Sequence, residues 1–300
     1  MGVFAEGSRR PAQRIDALQI ALIAGLLALA AVSWALTGET MEGMDMGPGS
    51  DLGSLSFYVG AWVVMMAAMM FPSISPMVRT YALVQRSRHA RRGLGEPTAE
   101  IVAFVTGYLL TWTLFGLAAY ATFALVRSFD IEAVSWDEGG PYLAGGVIIA
   151  AAAYQLTPLK DACLSRCRGP LDFLTERWRD GVGGALRLGL EHGAWCVGCC
   201  WALMAALFAL GVMSIGWMVL IAALIALEKL LPWQTVANRG IAVLLVVLGI
   251  AVAFAPEDVP GLTIPGPPDA GKAMEAMGME GEGNAMGGKS TAPGAGSMER

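Results

Sequence analysis

The sequence predicts an all-α protein, a polytopic membrane helical bundle of about seven transmembrane helices. Of its 300 residues, 55% are hydrophobic and only 15% are charged, whereas a soluble domain usually carries about 25% charged residues. Several apolar runs reach or approach the roughly 18 residues that cross a bilayer as a helix. Lysine and arginine are concentrated in alternate polar segments, which is typical of a multi-pass protein with a defined orientation.

Seven apolar runs follow one another along the chain. The first has a basic segment before it, but its length of about 20 residues favours an uncleaved anchor over a signal peptide. Pro72 and Pro76 fall in the last turns of the second run and are expected to kink or end that helix. The seventh run is the shortest. The predicted spans are residues 17–36, 57–78, 100–126, 141–159, 189–211, 212–230 and 240–255.

Charge bias predicts the orientation. With the N-terminus in the cytoplasm, the inner segments hold 16 of the 20 lysines and arginines, which satisfies the positive-inside rule. We therefore expect a bacterial inner (cytoplasmic) membrane protein with residues 1–15 inside and the C-terminus outside. Residues 16–255 form the transmembrane domain, with a Met-rich outer loop at 37–56. Residues 256–300 are expected to be a disordered outer tail rich in Met and Gly.

Residues 190–201 hold three of the five cysteines and one of the two histidines. On a helix, His192, Cys196 and Cys199 fall within an arc of about 60°, with Cys200 beside it. Cys163 and Cys167 are four positions apart, so they share a face if the helix continues there. Thiolate and imidazole bind soft metals, and these six residues are candidate ligands. The alternative is that each free cysteine is a small buried hydrophobe.

Methionines form a second candidate ligand set. The pattern Met-Glu-x-Met-x-Met occurs in the outer loop and again in the tail, and five methionines lie in the second span. Four of those five share an arc of about 100°. Thioether suits Cu(I) and is a poor ligand for zinc. For the methionines of the outer loop and tail, the alternative is a low-complexity sequence without a binding role. For those of the second span, the alternative is packing or contact with lipid. The candidate methionines are Met41, Met44, Met46, Met65, Met66, Met69, Met70, Met77, Met274, Met277 and Met279.

Three segments together resemble a bacterial family of predicted metal-binding integral membrane proteins, classed as a domain of unknown function. The resemblance covers about residues 55 to 255 and implies metal binding without a demonstrated reaction. It is carried by Trp62-Val-Val-Met65-Met-Ala-Ala-Met69-Met70-Phe-Pro72, by Tyr154-Gln-Leu-Thr-Pro-Leu-Lys160 with Cys163, Cys167 and Arg168, and by His192-Gly193 with Cys196, Gly198, Cys199, Cys200 and Trp201.

The favoured function is copper handling, in which outer methionines collect Cu(I) and the inner Cys/His group binds it for transport or delivery. Copper is preferred over zinc because of the methionines, since a Cys/His group alone fits zinc equally well. The alternatives are a membrane thiol–disulfide oxidoreductase and a metal-stabilised structural or assembly subunit. Expected partners are the lipid bilayer, the metal ion, and a periplasmic copper chaperone or a membrane enzyme complex. Nucleic acid is not expected, and an enzyme acting on a substrate is less favoured.

Overall fold

The computed structural model describes residues 17–41, 47–48, 52–129, 136 and 139–263, and within these it contains helices and no strands. The α-helices in chain order are α1 (Ala17–Met41), α2 (Leu55–Arg92), α3 (Thr98–Ser128), α4 (Gly140–Gln155), α5 (Pro158–Arg168), α6 (Pro170–Arg177), α7 (Gly181–Leu210), α8 (Ile215–Leu230) and α9 (Gln234–Phe254). A short 3-10 helix, Pro256–Asp258, follows α9.

Five of these helices, namely α1, α2, α3, α7 and α9, are long and apolar enough to cross a membrane. Helices α4 and α5 qualify together as a sixth candidate, but they are bent by 67° at their junction. Helix α8 has 16 residues and spans only about 24 Å. The helical membrane bundle is therefore confirmed in outline, and the number seven and the orientation stay predictions.

Helix α2 continues through both prolines to Arg92, so it does not end near residue 78, which was one of the two expectations. Pro76 has no N–H to offer the carbonyl of Pro72. The Ser75 hydroxyl donates to that carbonyl at 2.9 Å and so replaces the missing donor. Hydroxyl groups that replace missing backbone donors allow a buried helix to pass through proline.

Other boundaries also differ from the sequence expectation. Helix α1 extends to Met41, so this residue is helical and buried rather than part of a loop. Helix α7 begins at Gly181, and the segment before it, expected as a basic loop, contains α5 and α6. Helix α9 has 21 residues rather than the expected 16. The helices continue beyond the apolar runs into amphipathic and polar turns, and hydropathy alone does not detect these turns.

Helix α7 packs against α3, α4, α5 and α8, and glycines allow its closest contact, with α3. A Cβ atom on Gly189 would lie 2.0 Å from the carbonyl oxygen of Phe104, and one on Gly107 would lie 2.2 Å from that of Leu186. Small residues let membrane helices approach closely enough for backbone contact. The Thr111 hydroxyl also donates to the Leu190 carbonyl across this interface at 3.1 Å.

Polar contacts tie together one end of the bundle. Asp180, just before α7, accepts hydrogen bonds from Arg88 and Arg92 at the end of α2, at 3.2 and 3.1 Å. His89 lies 3.5 Å from Glu100 of α3. The end of α2, the start of α3 and the start of α7 are therefore neighbours. Two of the basic segments that the sequence assigns to the cytoplasmic side meet here.

Candidate metal centre

Three cysteine sulfurs meet between α5 and α7. Cys196 and Cys199 are one turn apart on α7, and Cys167 comes from α5; their sulfurs all lie within 4.8 Å of one another. The Cys199 and Cys167 sulfurs are 3.7 Å apart. A metal about 2.3 Å from each of three thiolates needs sulfurs about 4 Å apart. We call these three residues the thiol centre. Cys196 and Cys199 are buried, and Cys167 is half-buried.

The bend between α4 and α5 brings Cys167 to α7. Thr157 caps α5 by accepting from the backbone N–H of Lys160 at 3.3 Å. The Tyr154 hydroxyl donates to the carbonyl of Gly198 on α7 at 2.6 Å. A Cβ atom on Gly198 would lie 2.8 Å from the Cys163 sulfur, so glycine makes room for α5. Cys163 therefore packs against the backbone of α7, and it belongs to neither metal-competent group found among the described residues.

A cation lies against the thiol centre. The Lys229 ammonium nitrogen is 2.9 Å from the Cys196 sulfur and 3.5 Å from the Ser73 hydroxyl of α2. The Tyr108 hydroxyl is 3.1 Å from the same sulfur. An ammonium at this distance compensates the negative charge of a thiolate, which is the form of cysteine that binds metals. Helices α2, α3 and α8 thus supply the polar surroundings of a site whose sulfurs come from α5 and α7.

A buried ion pair joins α5 to α8 next to Cys200. The Lys160 ammonium lies 2.5 Å from one carboxylate oxygen of Glu228, and both side chains are fully buried. The other carboxylate oxygen lies 3.9 Å from the Cys200 sulfur. Arg168 donates to the backbone carbonyls of Glu228 and Leu231. Breaking such a buried pair leaves an uncompensated charge and is strongly destabilising. The pair holds the start of α5 to the end of α8, and the Arg168 hydrogen bonds hold the end of α5 there.

His192 is buried, as expected for the face it shares with Cys196, but its neighbours are aromatic. Its ring lies 5.2 Å from that of Phe173 and 6.0 Å from those of Phe104 and Tyr108, centre to centre. Its Nδ1 atom has no hydrogen-bond partner among the described residues. The structure does not group His192 with the cysteine sulfurs within 4.8 Å.

The candidate methionines of α2 are all buried inside the bundle, which rules out lipid contact for them: Met65, Met66, Met69, Met70 and Met77. Ser73, on the same face, donates to the Met70 carbonyl at 2.9 Å and accepts from Lys229. Ser73 of this face therefore contacts Lys229, which in turn contacts Cys196 of the thiol centre. The remaining candidates, Met44, Met46, Met274, Met277 and Met279, lie outside the described residues.

Several residues of the site were not identified from the sequence. Glu228 and Lys229 were placed at the end of the sixth span, next to a short polar connection, and were given no role in the site; both lie in the last turn of α8 and point inward. Lys160 and Tyr108 were not singled out for a charge or hydrogen-bond role. The available signal was an ionisable residue at the end of an apolar span, which is costly to bury without a partner. Three further buried methionines, Met204, Met213 and Met218, were also missed.

A protein-family model described as a copper chaperone, PpoB2, matches residues 59–252. The matched region begins in α2 and ends in α9, and it contains all five cysteines and the α2 methionines. No curated protein and no solved structure gives a significant match to the chain.

Proposed function

Since this chain belongs to the PpoB2 family, which is described as copper chaperones, we propose that it binds Cu(I) as cargo at the thiol centre. The observation that carries the proposal is the meeting of the Cys167, Cys196 and Cys199 sulfurs within 4.8 Å inside a helical bundle. Thiolates select Cu(I) because both are soft. The ammonium of Lys229 offsets part of the charge that three thiolates bring to a single Cu(I) ion.

The donor set favours Cu(I) over zinc. Structural zinc sites are almost always four-coordinate and tetrahedral. The thiol centre offers three sulfurs, and the Lys229 ammonium and the Tyr108 hydroxyl lie against it. The Cys200 sulfur lies 3.3 Å from that of Cys199, but it groups with Cys199 and Glu228 rather than with all three sulfurs of the centre. An ammonium has no lone pair for a metal. Three thiolates that lie together, with Cys200 grouped separately, suit Cu(I), and zinc remains the alternative that metal analysis must exclude.

The methionines supply a route to the centre. We propose that Cu(I) is collected outside by the two Met-Glu-x-Met-x-Met segments and passes along the methionine face of α2 to Cys196. Neutral thioethers bind Cu(I) less strongly than thiolates, and graded affinity allows an ion to enter and move on. The proposed partners are an external copper chaperone that loads the protein and a membrane enzyme complex that receives the ion, at a bacterial inner membrane.

Metal analysis tests this function. Protein purified anaerobically in detergent is titrated with Cu(I) against a competing chelator, and bound copper and zinc are measured. Wild-type protein is expected to retain copper, and Cys196→Ser and Cys199→Ser are expected to lose the tight site. Cys163→Ser is the matched control, because Cys163 is buried on the same helix as Cys167 yet lies outside the centre. Equal copper content in all four proteins would disprove the assignment.

One contact favours a second candidate function, thiol–disulfide exchange. The Cys167 and Cys199 sulfurs, 3.7 Å apart, need only a small movement to form a disulfide, and Cys167 is half-buried. Exchange requires an attacking thiolate from a partner to reach one of these sulfurs. In a Cys199→Ser variant, which cannot form this disulfide, the Cys167 thiolate would instead attack a partner's disulfide, release one partner thiol and stay trapped as a mixed disulfide. Recovery of such an adduct, with copper content unchanged, would favour this candidate over copper binding.

A further inference from the structure

A second group of ligand atoms adjoins the thiol centre. Cys199, Cys200 and Glu228 are all buried, and one ligand atom from each lies within 4.8 Å of the others. The Cys199 and Cys200 sulfurs are 3.3 Å apart, and the Cys200 sulfur is 3.9 Å from the Glu228 carboxylate. Cys199 belongs to both groups. Its sulfur is therefore shared by the thiol centre and by the group with Cys200 and Glu228.

We propose that this site holds two Cu(I) ions bridged by the Cys199 thiolate, one in the thiol centre and one between Cys199 and Cys200. The inference rests on the proposed copper function and adds to it the number of ions and the role of Cys200. A thiolate sulfur has several lone pairs and can bind two soft ions at once. Neighbouring cysteines at positions 199 and 200 then serve two ions, where a single ion needs only the three sulfurs of the thiol centre.

The charges at and beside the two groups match this occupancy; Lys160 and Glu228 are fully buried, and Arg168 is half-buried. Four thiolates and the Glu228 carboxylate carry five negative charges. Two Cu(I) ions supply two positive charges, and three cations next to the site supply three more, so the total is zero. Net charge is costly in the interior of a membrane protein, and this balance removes it. The three cations are Lys160, paired with Glu228, Lys229, beside Cys196, and Arg168, on the carbonyl of Glu228.

Glu228 acts here as a fixed charge rather than as a main donor. One of its oxygens is held by Lys160 at 2.5 Å, and the other faces Cys200. Carboxylate oxygen is a hard ligand and suits Mg²⁺, Ca²⁺ or Mn²⁺ better than Cu(I). The second ion is accordingly a two-sulfur site, and the ion pair beside it keeps Cys200 in a polar environment.

Copper stoichiometry tests the inference. Anaerobic titration of the full chain in detergent should give two Cu(I) per wild-type protein, one for Cys200→Ser and two for the control Cys163→Ser. X-ray absorption of the loaded wild-type protein should show sulfur neighbours and a short copper–copper path that is absent in Cys200→Ser. The spectrum of the wild-type protein decides the question even if the variant fails to fold.

The possible failures are distinguishable. A single ion in both the wild-type protein and Cys200→Ser, with no copper–copper path, would overturn the two-ion site and leave the proposed function intact. Loss of the second ion in Cys163→Ser but not in Cys200→Ser would overturn the assignment of its ligands. Absence of tight copper from the wild-type protein would overturn the proposed function itself.

Discussion

The ammonium nitrogen of Lys229 lies 2.9 Å from the sulfur of Cys196, although the residues are 33 positions apart on different helices. The same nitrogen reaches Ser73 on the methionine face of α2. One side chain on α8 thus contacts both the candidate route and the candidate destination of the ion. This relationship gives the thiol centre its local positive charge and makes Lys229 a positioning residue whose role can be measured.

Replacing Lys229 by Met is expected to weaken Cu(I) binding about 10- to 100-fold, as removal of a partner of a metal ligand commonly does. The reason is that thiolates without a counter-charge are poorly tolerated inside the bundle. Lys229→Arg should recover most of the affinity. The measurement is competition with a Cu(I) chelator. Arg91→Met, which removes an exposed cation from α2, is the control, and an equal loss there would refute a specific role.

Changing Met66 and Met70 together to Leu is expected to slow copper loading while leaving the affinity of the thiol centre unchanged. Leucine keeps the volume of the buried side chains and costs less than about 1.5 kcal/mol per site, but it removes the thioether ligands. Loading is followed by the absorbance of Cu(I)–thiolate in protein reconstituted into vesicles. Met65→Leu is the control, because Met65 is also buried but lies off the shared face. Unchanged loading in the double variant would mean that these methionines only pack.

Gly189→Ala should destabilise the protein by about 1–3 kcal/mol or more, as overpacking of a tight interface does. The new Cβ atom would meet the Phe104 carbonyl oxygen at 2.0 Å, and backbone cannot move aside cheaply. Thermal unfolding in detergent gives the comparison. Gly183→Ala on the same helix has open space around it and should be neutral or stabilising by up to about 1 kcal/mol. Similar behaviour of the two variants would refute close α3–α7 packing.

Asp180 predicts a pH dependence of stability. Hydrogen bonds from Trp178 and Arg92, with the charges of Arg92 and Arg88, hold the pKa of its carboxyl below its usual value. A lowered pKa in the folded state stabilises the protein above the unfolded value of about 3.9. That contribution disappears as the pH falls through the folded pKa. Asp180→Asn should therefore lower the unfolding temperature at neutral pH, and the difference from wild type should shrink on acidification. A pH-independent difference would contradict this.

Helical periodicity predicted part of the site correctly and could not predict the rest. The common face of Cys196 and Cys199 was expected and occurs on α7, whereas the separate helix α5 that brings Cys167 to them was not predicted. Periodicity gives the direction in which a side chain points, but not what lies opposite. His192 shares that face, yet Phe173 of α6 occupies the space beside it. Helix α6 lies in a stretch that hydropathy classifies as a basic loop.

The charged surroundings of the site were unpredictable for a different reason. Lys160 and Glu228 are 68 positions apart, and each alone looks like a residue that ends an apolar span. Only the 67° bend between α4 and α5 brings Lys160 over the end of α8. A bend of this kind depends on the packing of several helices, which a single apolar run does not encode. The same limitation applies to α2, which continues past Pro72 and Pro76, with the Ser75 hydroxyl replacing the backbone donor that Pro76 lacks.

Cys167 is more accessible than the other two cysteines of the thiol centre. Under the proposed function, this difference would set the order in which the three copper–sulfur bonds are exchanged. Cys167 is half-buried on the eleven-residue helix α5, whereas Cys196 and Cys199 are almost completely enclosed on α7. Under the proposed function, Cys167 is the sulfur of the thiol centre most open to an acceptor thiol, so its bond to copper would be the first to be exchanged. The rate of copper transfer would then follow acceptor concentration and the mobility of α5, and the retention time without an acceptor would be long. Tight binding and fast delivery would be compatible in such an arrangement. Helix α7 supplies two of the three sulfurs that would hold the ion, and α5 supplies the sulfur at which the ion would leave.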